Sequence, residues 1–346
     1  MIETSLHQSE PVVLPGRPFG RQVRSVAGYA LLTALMIVTP MIVFVPAALL
    51  HCAIRNGARA AWAVVALALG LAVLYVTAVP SASPDAANMT WSYLAAVGIA
   101  VTVPTMIVIP MVERGEKLGR VLVFLLIGAA AGLGITEVAS RELLSFSPYA
   151  AQVAQAKAMG SQFLESYRAS APQREMDSFA ERWVSFSSSA YVMPALILIN
   201  VALVFILSLL MLGRLKAWRE HAGQRGEEAA GAYLFRNFAL PDWMLFAFIL
   251  GGLTPLASGL AQQVASNTLV VVVFLYILQG LAIFRYLLLA IGAGLMGTLL
   301  AWSLLAFLTI TGVGPLLLGI AGLFDSFFDF RHPKKRKDDS DESHSD

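Results

Sequence analysis

The chain has 346 residues, of which 58% are hydrophobic and only 13% charged. Soluble domains are about 45–50% apolar and about 25% charged, so a single water-soluble core cannot hide this much apolar surface and lipid must solvate part of it. The net charge of +2 makes no case for a nucleic-acid partner, and the lone cysteine, Cys52, excludes an intramolecular disulfide.

Residues 1–24 are polar and basic and read as a cytoplasmic tail; the apolar run behind them is too long for the core of a cleaved signal peptide. Apolar stretches near 20 residues then follow at Val26–Leu50, Ala60–Val79, Trp91–Val112, Leu118–Val138, Tyr191–Leu212, Trp243–Val264, Leu269–Leu289 and Ile291–Ile310, with a shorter one from Val313 to about Phe330. The alternation of a membrane β-barrel is absent. The expected fold is an all-α polytopic integral membrane protein with about eight membrane helices. Helices occupy residues 25–142 and 189–330 and flank an extracytoplasmic helical insertion at 143–188; a charged cytoplasmic tail covers 331–346.

Positive charge marks the cytoplasmic side. Arg17, Arg21 and Arg24 precede the first stretch, and Arg55 and Arg59 follow it; later clusters are Arg114–Arg120, Arg214–Arg236 and Lys334–Lys337. The segments Pro80–Thr90 and Gln262–Thr268 hold no Lys or Arg and read as outer loops. A single crossing by Val26–Leu50 would split the first two Arg groups across the membrane. Pro40 and Pro46 offer an alternative, because each removes a backbone donor and can break a helix. Two readings therefore stand: one kinked crossing, or two half-helices that dip in and return. The glycine- and proline-rich start of Val313–Phe330 raises the same question at the other end.

In the insertion, Val153, Ala156, Met159, Phe163 and Tyr167 recur at helical spacing, and Met176, Phe179, Trp183 and Phe186 do so again after Ser170 and Pro172. Two amphipathic helices are expected, forming either a connector or a lid. Gly292, Gly294 and Gly297 spell G-x-G-x-x-G inside an apolar run with no strand before it. They read as helix packing rather than dinucleotide binding. Gly128 and Gly132 form a GxxxG pair with the same reading. No nucleophile elbow, zinc motif or P-loop occurs, so no catalytic residue, metal or cofactor is expected, and the chain does not read as an enzyme.

Polar residues inside apolar runs are the candidates for function, since they are costly in lipid. Asn200, Gln279 and Arg285 are candidate pocket residues, with Glu137 at a rim; interhelical hydrogen bonding, snorkelling of Arg285 and a local Glu137–Arg141 ion pair are the competing readings. Asp325 and Asp329, four apart, form a candidate acidic pair at the membrane edge, able to bind a cation or to pair with the following basic block.

Four stretches carry a resemblance: Ile54-Arg55-Asn56-Gly57, Leu240-Pro241-Asp242-Trp243, Leu278-Gln279-Gly280-Leu281-Ala282, and the run from Gly322 to Arg331. In this order the chain resembles the YybS-like family of predicted bacterial membrane proteins, from about Val26 to Arg331. The resemblance implies a bacterial inner-membrane location and brings no established activity. That family is in turn distantly similar to the substrate-binding S components of energy-coupling-factor transporters, whose first helix packs on a coupling subunit through an AxxxA motif. Ala30 and Ala34 fit that motif as candidate partner-helix packing residues. The chain departs from the pattern by having more than the usual six segments and a large outer insertion. The expected partners are the lipid bilayer, protein subunits and a small solute, with no nucleic acid. The leading expectation is a small-solute binding or transport component; the alternative is a membrane scaffold or assembly protein.

Overall fold

The computed structural model describes residues 19–79, 83–170, 181, 184, 192–223, 233–328 and 330–331, and no strand occurs among them. The chain opens with α1 (Phe19–Val38), a 3-10 turn at Pro40–Phe44, and α2 (Val45–Asn56). The two helices form a hairpin. Asn56 Nδ2 donates to Ser25 Oγ at 3.2 Å, and Tyr29 Oη lies 2.9 Å from His51 Nδ1, so the end of α2 returns to the beginning of α1. Of the two readings of Val26–Leu50, this fold-back matches the paired half-helices, and Arg24 and Arg55 lie at the same end, called here the basic face. The apolar arms, Val23–Val38 and Met41–Asn56, are each under 18 residues, shorter than the roughly 20 of an ordinary span.

A broken helix at membrane depth must find partners for the carbonyls it frees. At the hairpin tip Thr39 Oγ1 donates to Leu35 O at 2.8 Å, Tyr93 Oη to Ile37 O at 3.2 Å, and Ser208 Oγ to Val43 O at 2.7 Å. The tip is thereby sealed by two later helices.

α3 (Ala58–Ala78) leads away from the basic face. α4 (Pro84–Ala96) follows, capped by Ser83, whose Oγ accepts the Ala86 N–H at 3.2 Å. The expected outer loop at Pro80–Thr90 is thus corrected from Pro84 onward: Pro at the first helical position and Ser before it start a helix there. A π turn at Val97–Thr102 links α4 to α5 (Val103–Ile107) and α6 (Ile109–Glu113). Pro104 and Pro110 have no N–H for the preceding turn, which accounts for both interruptions. Thr105 Oγ1 donates to Val101 O at 2.6 Å and Thr102 Oγ1 to Gly98 O, so hydroxyls answer carbonyls at the bulge. α7 (Leu118–Leu144) packs its GxxxG pair here: a Cβ on Gly128 would meet the Pro104 ring at 2.9 Å, and one on Gly132 would meet Ala100 Cα at 2.7 Å.

α8 (Pro148–Ser170) is the first helix of the insertion. Val153 is buried, while Met159 and Phe163 are exposed. The expected second helix, Met176–Phe186, lies outside the described residues. α9 (Met193–Arg214) returns the chain to the basic face, and α10 (Lys216–Gly223) lies beyond it. α11 (Met244–Gly252) is only nine residues long, and α12 (Gly259–Ala290) has 32. This corrects the expected span Trp243–Val264 and the outer loop Gln262–Thr268. The break falls earlier, at Leu253–Ser258 around Pro255, and residues 262–268 are the first turns of α12. Their polar side chains have a use: Asn267 Oδ1 accepts the Ala195 N–H at 2.8 Å, one of the orphan donors at the start of α9.

α12 stops at a turn in which Gly292 takes φ +65°, a conformation that disfavours side chains. Gly292 and Gly294 of the G-x-G-x-x-G run therefore form a turn, which corrects their reading as helix packing; Gly297 alone of the three is helical. α13 (Leu295–Ile310) and α14 (Val313–Phe328) are bent by 108° at their break. α14 lies against α12 at very short range: a Cβ on Gly280 would meet Leu318 O at 2.0 Å, and one on Gly322 would meet Tyr276 O at 2.0 Å. Among the described residues five helices are long and apolar enough to cross a membrane, and the bent pair makes a sixth span if counted as one.

Candidate functional site

Two features stand out, a buried polar node and an open cleft, both on elements that reach the basic face.

The node joins three of the four stretches quoted above. Gln279 on α12 is 2% exposed; its Oε1 accepts the Leu240 N–H at 3.0 Å, and its Nε2 donates to Asp325 Oδ2 at 3.1 Å. Asp325 on α14 also accepts from Arg331 Nη2 at 3.1 Å and, at Oδ1, from the Phe330 N–H at 3.1 Å. Arg331 Nη1 donates to Arg236 O at 3.2 Å, and Tyr286 Oη donates to Arg331 O at 2.8 Å. Asp325 and Arg331 are 8% and 7% exposed, so the pair sits in low dielectric and gains from multiple hydrogen bonds. The Leu240 segment is also held from the other side, because Gly119 of α7 lets the Ala239 carbonyl approach to where a Cβ would stand, 2.0 Å away. The node fastens the end of α14 to α12 and to the segment before α11.

That segment is itself anchored. Trp218 and Tyr233 are fully buried with ring centroids 4.8 Å apart, and Tyr233 rests on Gly213 of α9. Burial first, then the nearby Glu116 charge, pushes the Tyr233 phenol well above its ordinary value.

The cleft lies between α1 and α3 and has a volume of about 620 Å³, within the roughly 300–1,000 Å³ range of small-molecule sites. Its walls include Val23, Val26, Ala27 and Leu67, and its polar lining is Asn56 and Arg59. Asn56 is positioned by Ser25 and by a 3.7 Å contact from its Nδ2 to Cys52 Sγ. Gly57 starts α3 with φ +87°, and no side chain caps the helix. Between Glu10 and Asp85 the sequence contains no acidic residue, while it carries Arg17, Arg21, Arg24, Arg55 and Arg59. A second groove, about 390 Å³, is lined by Leu69, Trp91, Leu94 and Ile99 among others and is almost wholly apolar.

Of the residues singled out from sequence, the structure brings Gln279 and Asp325 together and leaves the others apart. Asn200 is exposed, its amide donating to Leu196 O of its own helix at 3.0 Å. Arg285 is half-buried near the end of α12. Glu137 organises the start of α8: it accepts from Arg141 Nε at 2.6 Å, Ser147 Oγ at 2.5 Å and the Tyr149 N–H at 3.0 Å. Burial and the Glu137 charge raise the Tyr149 phenol. Asp329 lies outside the described residues, and Arg331 is the partner of Asp325. Ala30 and Ala34 are 2% and 7% exposed and belong to this chain's own core, so their face of α1 is occupied from within. Among the described residues no group of three metal-ligating side chains occurs.

Sequence reasoning missed Asn56 and Arg59 as cleft residues, although the acid-free stretch around them was visible. It also missed Tyr93 and Ser208 as seals of the hairpin tip, because their partners are backbone atoms far away in sequence.

A set of long apolar helices with broken elements sealed by hydroxyls and a buried charged node defines an all-α polytopic membrane protein. The chain belongs to the DUF2232 family of predicted membrane proteins, whose family model matches residues 27–326. That match takes in α2, most of α1, the cleft residues from Ala27 onward, and Asp325, and it is consistent with the YybS-like resemblance. No curated protein and no solved structure matches the chain.

Proposed function

We propose that the chain is the ligand-binding component of a membrane assembly and holds a small amphiphilic solute in the cleft between α1 and α3. The single observation behind this reading is the cleft itself: about 620 Å³, apolar along most of its wall and polar at Asn56 and Arg59. Such a lining suits a molecule with an apolar body and a polar end. The hairpin creates the cleft by returning α2 beside α1, and the Ser25–Asn56 hydrogen bonds fix its mouth. Partner subunits would supply any coupling energy, since the sequence has no nucleotide-binding motif of its own.

One observation favours the alternative, a scaffold that organises other proteins. None of the residues of α13 is buried by its own chain. In a bilayer that surface is covered either by lipid or by another subunit.

Native mass spectrometry of the detergent-purified protein tests the two readings together. A retained small amphiphile, lost when Val26→Trp fills the cleft, is the expected result. An empty chain bound stoichiometrically to another membrane protein, unchanged by that substitution, would move the assignment to a scaffold.

A further inference from the structure

We infer that the ligand of the α1–α3 cleft is an anionic phospholipid, its phosphate at Arg59 and Asn56 and an acyl chain along Val23, Val26, Ala27 and Leu67. The inference rests on the reading of this cleft as a binding site and adds the class of molecule it takes.

Three observations point to an anion at the mouth. Arg59 contributes a guanidinium, the side chain best matched to phosphate. The mouth is also the start of α3, a 21-residue helix whose first turn has no side-chain cap. The positive end of that helix's dipole therefore lies at the mouth. The nearest acidic residues in sequence on either side are Glu10 and Asp85, so no carboxylate on these two helices competes for the site.

Other observations point to a lipid rather than a free anion. Most of the lining is apolar, from Val23, Val26, Ala27, Ala60 and Leu67, with only Asn56 and Arg59 polar. Val23 on α1 and Leu67 on α3 are each 51% exposed, so a chain can enter laterally from the bilayer. Arg24 and Arg55, on the same face, add positive charge where headgroups lie. A soluble phosphate would have no use for the apolar wall.

The test uses the full chain in detergent, offered equal amounts of palmitoyl-oleoyl phosphatidylglycerol and phosphatidylcholine, with retained lipid counted by native mass spectrometry. The wild type is expected to retain phosphatidylglycerol about tenfold better, the scale of one charge-assisted hydrogen-bonded contact. Arg59→Gln is expected to bring the ratio near one, whereas Arg120→Gln, on the same face and paired to Glu116 at 2.7 Å, leaves it unchanged. Inorganic phosphate at millimolar concentration is expected to displace nothing. Equal retention in the wild type, or an Arg59→Gln ratio like the wild type, would overturn the anionic assignment. Displacement by inorganic phosphate would overturn the lipid. If both lipids bind equally and both are lost on Val26→Trp and on Ala27→Phe, the cleft still binds an amphiphile. If neither substitution changes retention, the cleft reading falls as well.

Discussion

Asp325→Ala is expected to destabilise the protein by about 3–5 kcal/mol, the range for removing one partner of a buried ion pair. The carboxylate takes three hydrogen bonds, from Gln279 Nε2, the Phe330 N–H and Arg331 Nη2. With it gone, the Arg331 guanidinium stays in a site only 7% exposed, without the anion that offsets its desolvation. Gln279 loses one of its two partners, and its hold on the Leu240 N–H weakens with it. Asp325→Leu combined with Arg331→Met is expected to cost clearly less than the two single changes added together, since a well-packed apolar pair leaves no buried charge. Thermal unfolding in detergent gives the comparison. A single variant as stable as wild type, or a double variant that merely sums the two losses, would show that the pair contributes nothing as a unit.

Gly280→Leu is expected to separate α12 from α14 and to cost at least about 3 kcal/mol, the upper end for overpacking a filled contact. Even the first added carbon stands 2.0 Å from the Leu318 carbonyl oxygen, and Gly322 meets Tyr276 O in the same way. The opposing atoms are backbone, so no rotamer change relieves the clash. Close approach through small residues is what lets helices associate in lipid, where the hydrophobic effect offers little. Gln279 is the next residue, so the node should open along with the helix contact. Gly134→Leu is the control, because nothing lies within 4 Å of its added Cβ. Unfolding midpoints of the two variants should differ widely; equal midpoints would mean that the α12–α14 contact is loose.

The long apolar runs were legible because their period and length are set by the bilayer. α3, α7 and α9 begin within two residues of the stretches read from sequence. The hairpin was half legible: Pro40 and Pro46 marked a break and the Arg groups suited a return as well as a single kinked crossing, but only the Ser25–Asn56 and Tyr29–His51 contacts show the fold-back. The polar positions misled most. The segment Gln262–Thr268, free of Lys and Arg, read as a loop, yet its Asn267 serves the first turn of another helix 72 residues away in sequence. Asn200 and Gln279 look alike as amides in apolar runs; one bonds its own helix on an exposed face, and the other ties together three segments. Nothing in one chain's order tells these cases apart, because the deciding partners are 39 and 46 residues distant. Asp325 and Arg331 were closer in sequence, and their pairing was among the readings available from it.

The whole functional reading depends on the hairpin, since the cleft exists only if α1 and α2 begin and end on one face. Arg24→Cys and Arg59→Cys, introduced singly after replacing the buried Cys52 by Ala, can be labelled with a membrane-impermeant maleimide in right-side-out and inverted vesicles. Both positions are expected to react from the same side and only from that side. Reaction of one from each side would mean a single crossing between them and would remove both the hairpin and its cleft.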